Sequence, residues 1–178
     1  MQRLLAIFLL ACVGAGSACA ADVSPNGFVV RHERIVAAPA AAVYDSLLGQ
    51  VGSWWNPQHS YSGDSRNLSI EPRAGGCFCE RLPNGGVEHL RVVMLRPNQM
   101  IRLTGALGPL QASALSGVMT WRLSPVEGGT KLELVYSVGG FMPGGFEGIA
   151  PAVEGVLGEQ IDRLKRFVET GSPAAAAK

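Results

Sequence analysis

The chain opens with an apolar run from Leu4 to Val13, preceded by Met1-Gln2-Arg3 and followed by small residues ending in Ala18-Cys19-Ala20. A basic start, a short apolar centre and an A-x-A ending mark a secretory signal peptide, and the run is too short to span a bilayer. Cleavage is expected after Ala20, which gives a periplasmic or secreted protein. Gly16-Ser17-Ala18-Cys19 also admits a lipid on Cys19, although the bulky residue usual three positions before such a cysteine is absent.

Beyond the leader the periodicity changes. Phe28 to Val36 reads as a first strand, and Ala37-Ala38-Pro39 turns the chain into a helix, with Pro39 suited to its first position. Val43, Tyr44, Leu47 and Leu48 then recur at helical spacing until Gly49. Val51 to Trp55 reads as a second short helix, closed at Asn56-Pro57 because a residue before proline is pushed out of the helical region. From Leu68 to Val138, short apolar or alternating runs are separated by Pro-Arg-Ala-Gly-Gly, Pro-Asn-Gly-Gly, Arg-Pro-Asn-Gln and Glu-Gly-Gly. Such turn sequences join antiparallel strands. Strands are expected near Leu68 to Glu71, Gly76 to Leu82, Val87 to Leu95, Met100 to Gly105, Gly117 to Leu123 and Lys131 to Val138, making seven with the first.

Pro151 to Thr170 predicts a helix about 30 Å long, with Val153, Leu157, Ile161, Leu164 and Val168 on one face. Glu159 with Arg163 and Asp162 with Arg166 are spaced for pairing on the other. Gly171 ends the helix, and Ser172 to Lys178 is expected to be a disordered tail. The whole pattern predicts an α+β domain over residues 21–170. Two short helices follow the first strand, and a seven-stranded curved antiparallel sheet wraps the long C-terminal helix.

Composition narrows the function. Removing 20 of 178 residues leaves 158, a usual size for one domain, and 47% hydrophobic content is enough for its core. Loss of Arg3 takes the basic residues from 15 to 14, equal to the 14 acidic ones, so no nucleic-acid or other polyanion partner is implied. Cys12 and Cys19 leave with the leader. Cys77 and Cys79 remain, and they admit three readings: inert small hydrophobes, a strained disulfide, or two ligands of a metal site that His59 or His89 would have to complete. No second paired-ligand motif is present, so no metal is expected; HExxH and nucleotide fingerprints are also absent, so no cofactor is expected.

The element order resembles a known family, as do Pro39-Ala40-Ala41-Ala42-Val43-Tyr44, Trp54-Trp55 and Gly75-Gly76-Cys77-Phe78-Cys79-Glu80-Arg81-Leu82. It is similar to the START and pollen-allergen helix-grip superfamily (SRPBCC), in its bacterial polyketide cyclase/dehydrase or heat-shock-chaperone ATPase activator-like branch. The resemblance covers about Val29 to Thr170. It implies a groove between sheet and long helix that in relatives serves lipid carriage, hormone reception, aromatase/cyclase chemistry or chaperone assistance. An exported protein would not meet the cytosolic chaperone.

Trp54-Trp55-Asn56-Pro57-Gln58-His59-Ser60-Tyr61 concentrates aromatic and polar groups in a chain with 7% aromatic residues. If the second short helix closes the groove, Trp55 would stack on a flat ligand and His59 or Tyr61 would bond its polar end; the alternative makes both tryptophans core anchors. In Cys77-Phe78-Cys79-Glu80 a strand puts Phe78 and Glu80 on one face. Glu80 either enters the cavity as an acid/base group or sits partly wet beside Arg81 or Arg91. His89 and Arg91 alternate with Leu90 and Val92 and are expected to face solvent if the leucine face is buried, with His89 in the groove as the lesser alternative. Trp121, Tyr136, Leu157 and Ile161 are expected to line the groove, with packing as the equal alternative. Phe141 stands in a glycine-rich loop, Gly139 to Gly145, read as a flexible lip at the cavity mouth.

Two functions follow. One is an exported carrier or sensor of a hydrophobic small molecule (lipid-like, polyketide-like or aromatic) held by a monomer or homodimer. The other is an aromatase/cyclase- or lyase-type enzyme using Glu80, His59 and Tyr61. A third reading, an interaction module, rests on an exposed apolar loop from Leu107 to Leu115.

Overall fold

The computed structural model describes residues 21–175. The expected leader and residues 176–178 lie outside them. Eight strands form one antiparallel sheet: β1 (Asp22–Ser24), β2 (Gly27–Val36), β3 (Leu68–Ile70), β4 (Cys77–Leu82), β5 (Gly85–Arg96), β6 (Met100–Thr104), β7 (Ala114–Val126) and β8 (Gly129–Phe141). Their order across the sheet is β1-β2-β8-β7-β6-β5-β4-β3. The helices are α1 (Ala40–Gly49), α2 (Val51–Trp54) and α3 (Ala150–Thr170). This is the helix-grip arrangement, with the curved sheet around α3.

The sheet has one strand more than the sequence predicts. The added strand, β1, is three residues long, too short for a period-two pattern, and is held as an edge by pairing Asp22 with Val29 and Ser24 with Gly27. β7 and β8 are also longer than expected, paired without a break from Ala114 opposite Phe141 to Val126 opposite Gly129. Gly139 and Gly140 therefore belong to a strand rather than a lip. Gly140 has φ of 137°, and a Cβ there would lie 2.2 Å from the Ala114 carbonyl oxygen, so close pairing needs the glycine.

The core lies between the concave face and the helices. Val30, Leu132, Leu134, Tyr136, Met119, Trp121, Ile101 and Leu103 are buried there, as are Leu157, Ile161 and Leu164 of α3. The polar face of α3 differs from its expected local pairing. Asp162 accepts from Arg34 of β2 at 2.6 Å, and Arg163 donates to the Trp54 carbonyl at 2.8 Å. Glu159 accepts from Asn56 at 2.6 Å. Once the helix docks, groups on the neighbouring elements compete for these side chains, which stay partly exposed. Gly171 ends α3 in the left-handed region, φ 77°.

Candidate functional site

A cavity of about 270 Å³ lies at one end of the core, between α3, the segment after α2 and the strands β3 to β5. Its walls are largely apolar: Leu68 and Phe78 come from the sheet, Trp55 from the end of α2, and Ile149, Val153 and Leu157 from the helix side.

Proline placement builds one wall. Asn56 precedes Pro57, and its side chain caps the following 3-10 turn by accepting from the Gln58 amide. Gln160 of α3, fully buried, accepts from the Asn56 amide at 2.8 Å. The Trp55 indole N–H is satisfied by the His59 carbonyl at 2.9 Å, and its ring meets Phe78 edge-on at 5.5 Å. His59 Nε2 lies 3.1 Å from Glu159 at the exposed rim.

The opposite wall is the segment from Leu107 to Leu110. It is not the exposed loop that the sequence suggests: a 3-10 turn, Gly108–Ala112, rolls Leu110 inward to 2% exposure, and Leu107 is half-buried. Tyr136 anchors it from below, its hydroxyl donating to the Gly105 carbonyl at 3.0 Å and accepting from the Leu107 amide at 2.9 Å. Burial pushes the Tyr136 hydroxyl up to about 12.

The polar feature of the cavity comes from β4 and β5. The two strands pair Phe78 with Leu90 but Cys79 with Glu88, so His89 is an extra residue in a bulge. His89 therefore turns inward beside Leu90 and is 5% exposed, against the solvent-facing position that alternation predicts. Its Nε2 lies 3.0 Å from Glu80, which is 1% exposed. Glu80 does not pair with Arg81 or Arg91. It accepts from the amides of Tyr61 at 3.1 Å and Ser62 at 2.5 Å. Burial works against the charged carboxylate, yet the donors from Ser62, Tyr61 and His89 outweigh it and hold the group below its ordinary value. Burial depresses His89, against the opposing pull of Glu80. Tyr61, 54% exposed, stacks on the His89 ring at 5.9 Å.

The structure thus brings Trp55, His59, Tyr61, Phe78 and Leu157 to the cavity. Glu80 does not line it and lies behind His89 and Tyr61, bonded to both. Trp54, Trp121, Tyr136 and Ile161 are core residues; Trp54 packs edge-on to Trp121 at 6.3 Å and donates to the Ser46 carbonyl. Phe141 does not line the cavity: it is 70% exposed at the last rung of β8, because the strand continues through the glycines rather than forming the expected lip. The sequence offers His89 as a lining group only as the lesser alternative, and does not offer the segment from Leu107 to Leu110. Cys77 and Cys79 are joined as a disulfide, their Cα atoms 5.3 Å apart. Among the described residues no group of three or more His, Cys, Asp or Glu side chains is placed to hold a metal ion.

Residues 28–169 match the family described as polyketide cyclase/dehydrase and lipid transport. No curated protein matches. Among solved structures, an uncharacterised protein from Rhizobium leguminosarum is 18% identical with a TM-score of 0.61, over 84% of this chain and 97% of that one. The Aha1 dimer from Colwellia psychrerythraea is 17% identical with a TM-score of 0.58, over 80% and 97%. DynU16, a protein of the dynemicin biosynthetic locus, is 18% identical with a TM-score of 0.58, over 82% of this chain and 48% of that one. At these identities the likeness is one of fold.

Proposed function

Because the chain belongs to the polyketide cyclase/dehydrase and lipid transport family of the SRPBCC superfamily, we propose that it is an exported carrier or sensor that holds a hydrophobic small molecule between its sheet and C-terminal helix. The observation that carries this reading is the cavity itself, about 270 Å³ with walls dominated by Trp, Phe, Leu, Val and Ile. Apolar walls left facing water are unfavourable by about 25 cal/mol per Å², and an apolar ligand relieves that cost. Export rests on the Met1 to Ala20 pattern and is tested by N-terminal sequencing of protein recovered from its own host. A start at Ala21 supports it; an intact Met1 removes it, and a lipid on Cys19 replaces the soluble form with an anchored one.

Native mass spectrometry of the same material, followed by melting curves with apolar compounds, tests ligand carriage. A ligand at about a hundred times its Kd adds about 2.7 kcal/mol, which raises the melting temperature by roughly 5–10 °C for a chain of this size. No bound mass and no shift with any apolar compound would remove the proposal.

A second reading, an aromatase/cyclase- or lyase-type enzyme, draws on the His89 imidazole at the cavity wall and the buried Glu80 carboxylate 3.0 Å from it, a pairing suited to proton transfer. Glu80 would then orient His89, with Tyr61 and His59 at the rim as positioning groups. A bound molecule recovered ring-closed or lacking one water after incubation favours catalysis; one recovered unchanged favours carriage.

A further inference from the structure

Cys77 and Cys79, the two cysteines among the described residues, are joined across a sequence separation of 2. So short a loop removes little freedom from the unfolded chain, and the bond adds little to global stability. Its effect is local. Residues two apart on a regular strand lie about 6.6–6.8 Å apart, whereas these Cα atoms are 5.3 Å apart. The bond therefore draws β4 in by about 1.4 Å where its register with β5 slips, between Phe78 and Cys79. β4 covers with Cys77 to Cys79 the stretch that β5 covers with Glu88 to Arg91, so the shortened side faces the side carrying the extra residue, His89. Phe78, enclosed between the two cysteines, is 3% exposed and lines the cavity, meeting Trp55 at 5.5 Å and His89 at 5.3 Å. The cysteines share the opposite, outer face. Both are partly exposed, and the residues opposite them in the ladder, Ser69, Glu88 and Arg91, are exposed. An accessible disulfide that does little for stability is open to thiol exchange.

Resting on the proposal that the cavity holds an apolar ligand, we infer that the disulfide of Cys77 and Cys79 is a thiol–disulfide exchange site for a dithiol reductant, and that opening it loosens the cavity wall at Phe78 and His89 and releases the ligand. A thiolate of the dithiol attacks one sulfur of the bond and forms a mixed disulfide, while the other sulfur leaves with the bonding pair and takes a proton from water. The dithiol's second thiol gives up its proton and attacks its own sulfur in the mixed disulfide, and the second cysteine leaves in the same way. Two electrons pass to the cysteine pair, which becomes two thiols, and the dithiol becomes a disulfide. With the tie gone, β4 regains the spacing of a regular strand beside the bulge. Phe78 and the inward-turned His89 then lose the placement that closes this side of the cavity.

The test uses protein recovered from its own host, dithiothreitol as the dithiol and N-phenyl-1-naphthylamine, a neutral apolar fluorophore, as the ligand probe. Dithiothreitol is expected to reduce the pair without denaturant, read as two iodoacetamide additions in the intact mass of a protein that keeps its far-ultraviolet circular dichroism. The reduced form is expected to bind the probe about fivefold or more weakly than the oxidised form. By reciprocity, saturating probe should raise the ratio of reduced to oxidised dithiothreitol at half reduction by the same factor. The double variant Cys77→Ser, Cys79→Ser should bind as weakly as the reduced wild type and ignore dithiothreitol. Should that variant fold poorly, NMR of the wild type reports the wall directly. The Trp55 indole N–H and the Tyr61 and Ser62 amides, which bond the His59 carbonyl and Glu80, are expected to move on reduction. A pair that resists dithiothreitol until the protein unfolds overturns the exchange site. Equal or tighter probe binding by the reduced form overturns the release and leaves the cavity reading standing. No probe binding by either form removes both.

Discussion

Replacing Glu80 with Gln probes whether the buried carboxylate organises this end of the protein. The wild-type side chain receives three N–H donors: Tyr61 and His89 on one oxygen, Ser62 on the other. A glutamine offers one carbonyl oxygen. Set in the position that serves Tyr61 and His89, it turns its amide NH2 against the Ser62 N–H and leaves a buried donor unsatisfied, which costs about 1–3 kcal/mol. The two remaining bonds lose their charge assistance, about 1 kcal/mol each. Relief from burying a charge offsets part of this. The net expectation at pH 8 is a loss of about 2–4 kcal/mol. With a urea m-value of about 2 kcal/mol/M, the midpoint falls by about 1–2 M. Glu88→Gln is the control, since the Glu88 side chain is exposed and pairs with Arg91 on the surface; its change should stay within about 0.5 kcal/mol. A Glu80→Gln midpoint no lower than the control's, with aromatic circular dichroism preserved, refutes the buried three-donor arrangement.

Acid should act in two steps. His89 is held below its ordinary value, so the unfolded chain takes up a proton that the fold refuses, and stability declines as pH falls through about 6.5. Glu80 is also held low, so its contribution is present above about pH 4.3 and is lost as pH falls further. Urea midpoints from pH 8 to about 2.5 check this, and a flat profile between pH 8 and 5.5 contradicts a neutral His89. At the alkaline end the sign reverses for Tyr136: raised to about 12, it stabilises below pH 10 and loses that contribution, about 2–3 kcal/mol, as pH rises to 12. Absorbance titration of tyrosinate alongside unfolding checks it, and Tyr136→Phe should remove the alkaline step while speeding amide exchange at Leu107. Replacing Cys77 and Cys79 with Ser opens a loop of sequence separation 2, so the loss in urea melts should not exceed about 1.5 kcal/mol; a loss above 3 kcal/mol contradicts a minor structural role.

The architecture was legible because it rests on periodicity. Val30, Leu132, Leu134 and Tyr136 alternate, Leu157, Ile161 and Leu164 recur at helical spacing, and the structure buries both sets. Short or aperiodic features were not legible. β1 has three residues, and the turn that rolls Leu110 inward is anchored by the Leu107 amide donating to the Tyr136 hydroxyl, 29 residues later. The Trp54-Trp55 pair could be placed near the groove but not divided. Only docking against α3 decides that Trp54 packs on Trp121 while Trp55 faces the cavity.

One inserted residue accounts for what alternation could not show. Without the bulge, Cys79 would face His89 across the ladder and Glu80 would face Glu88, setting two carboxylates on the buried side. Like charges opposite one another in a core are costly, and neither would have a counter-charge. Inserting His89 moves Glu88 to the outer face, where it meets Arg91, and brings Val87 opposite Glu80. The imidazole then supplies the donor that Glu80 needs from the sheet side. The same irregularity falls between Phe78 and Cys79, within the link from Cys77 to Cys79. Disulfide, bulge and buried pair are thus parts of one local solution, in which keeping Glu80 ionised in the core requires the strand to depart from its period.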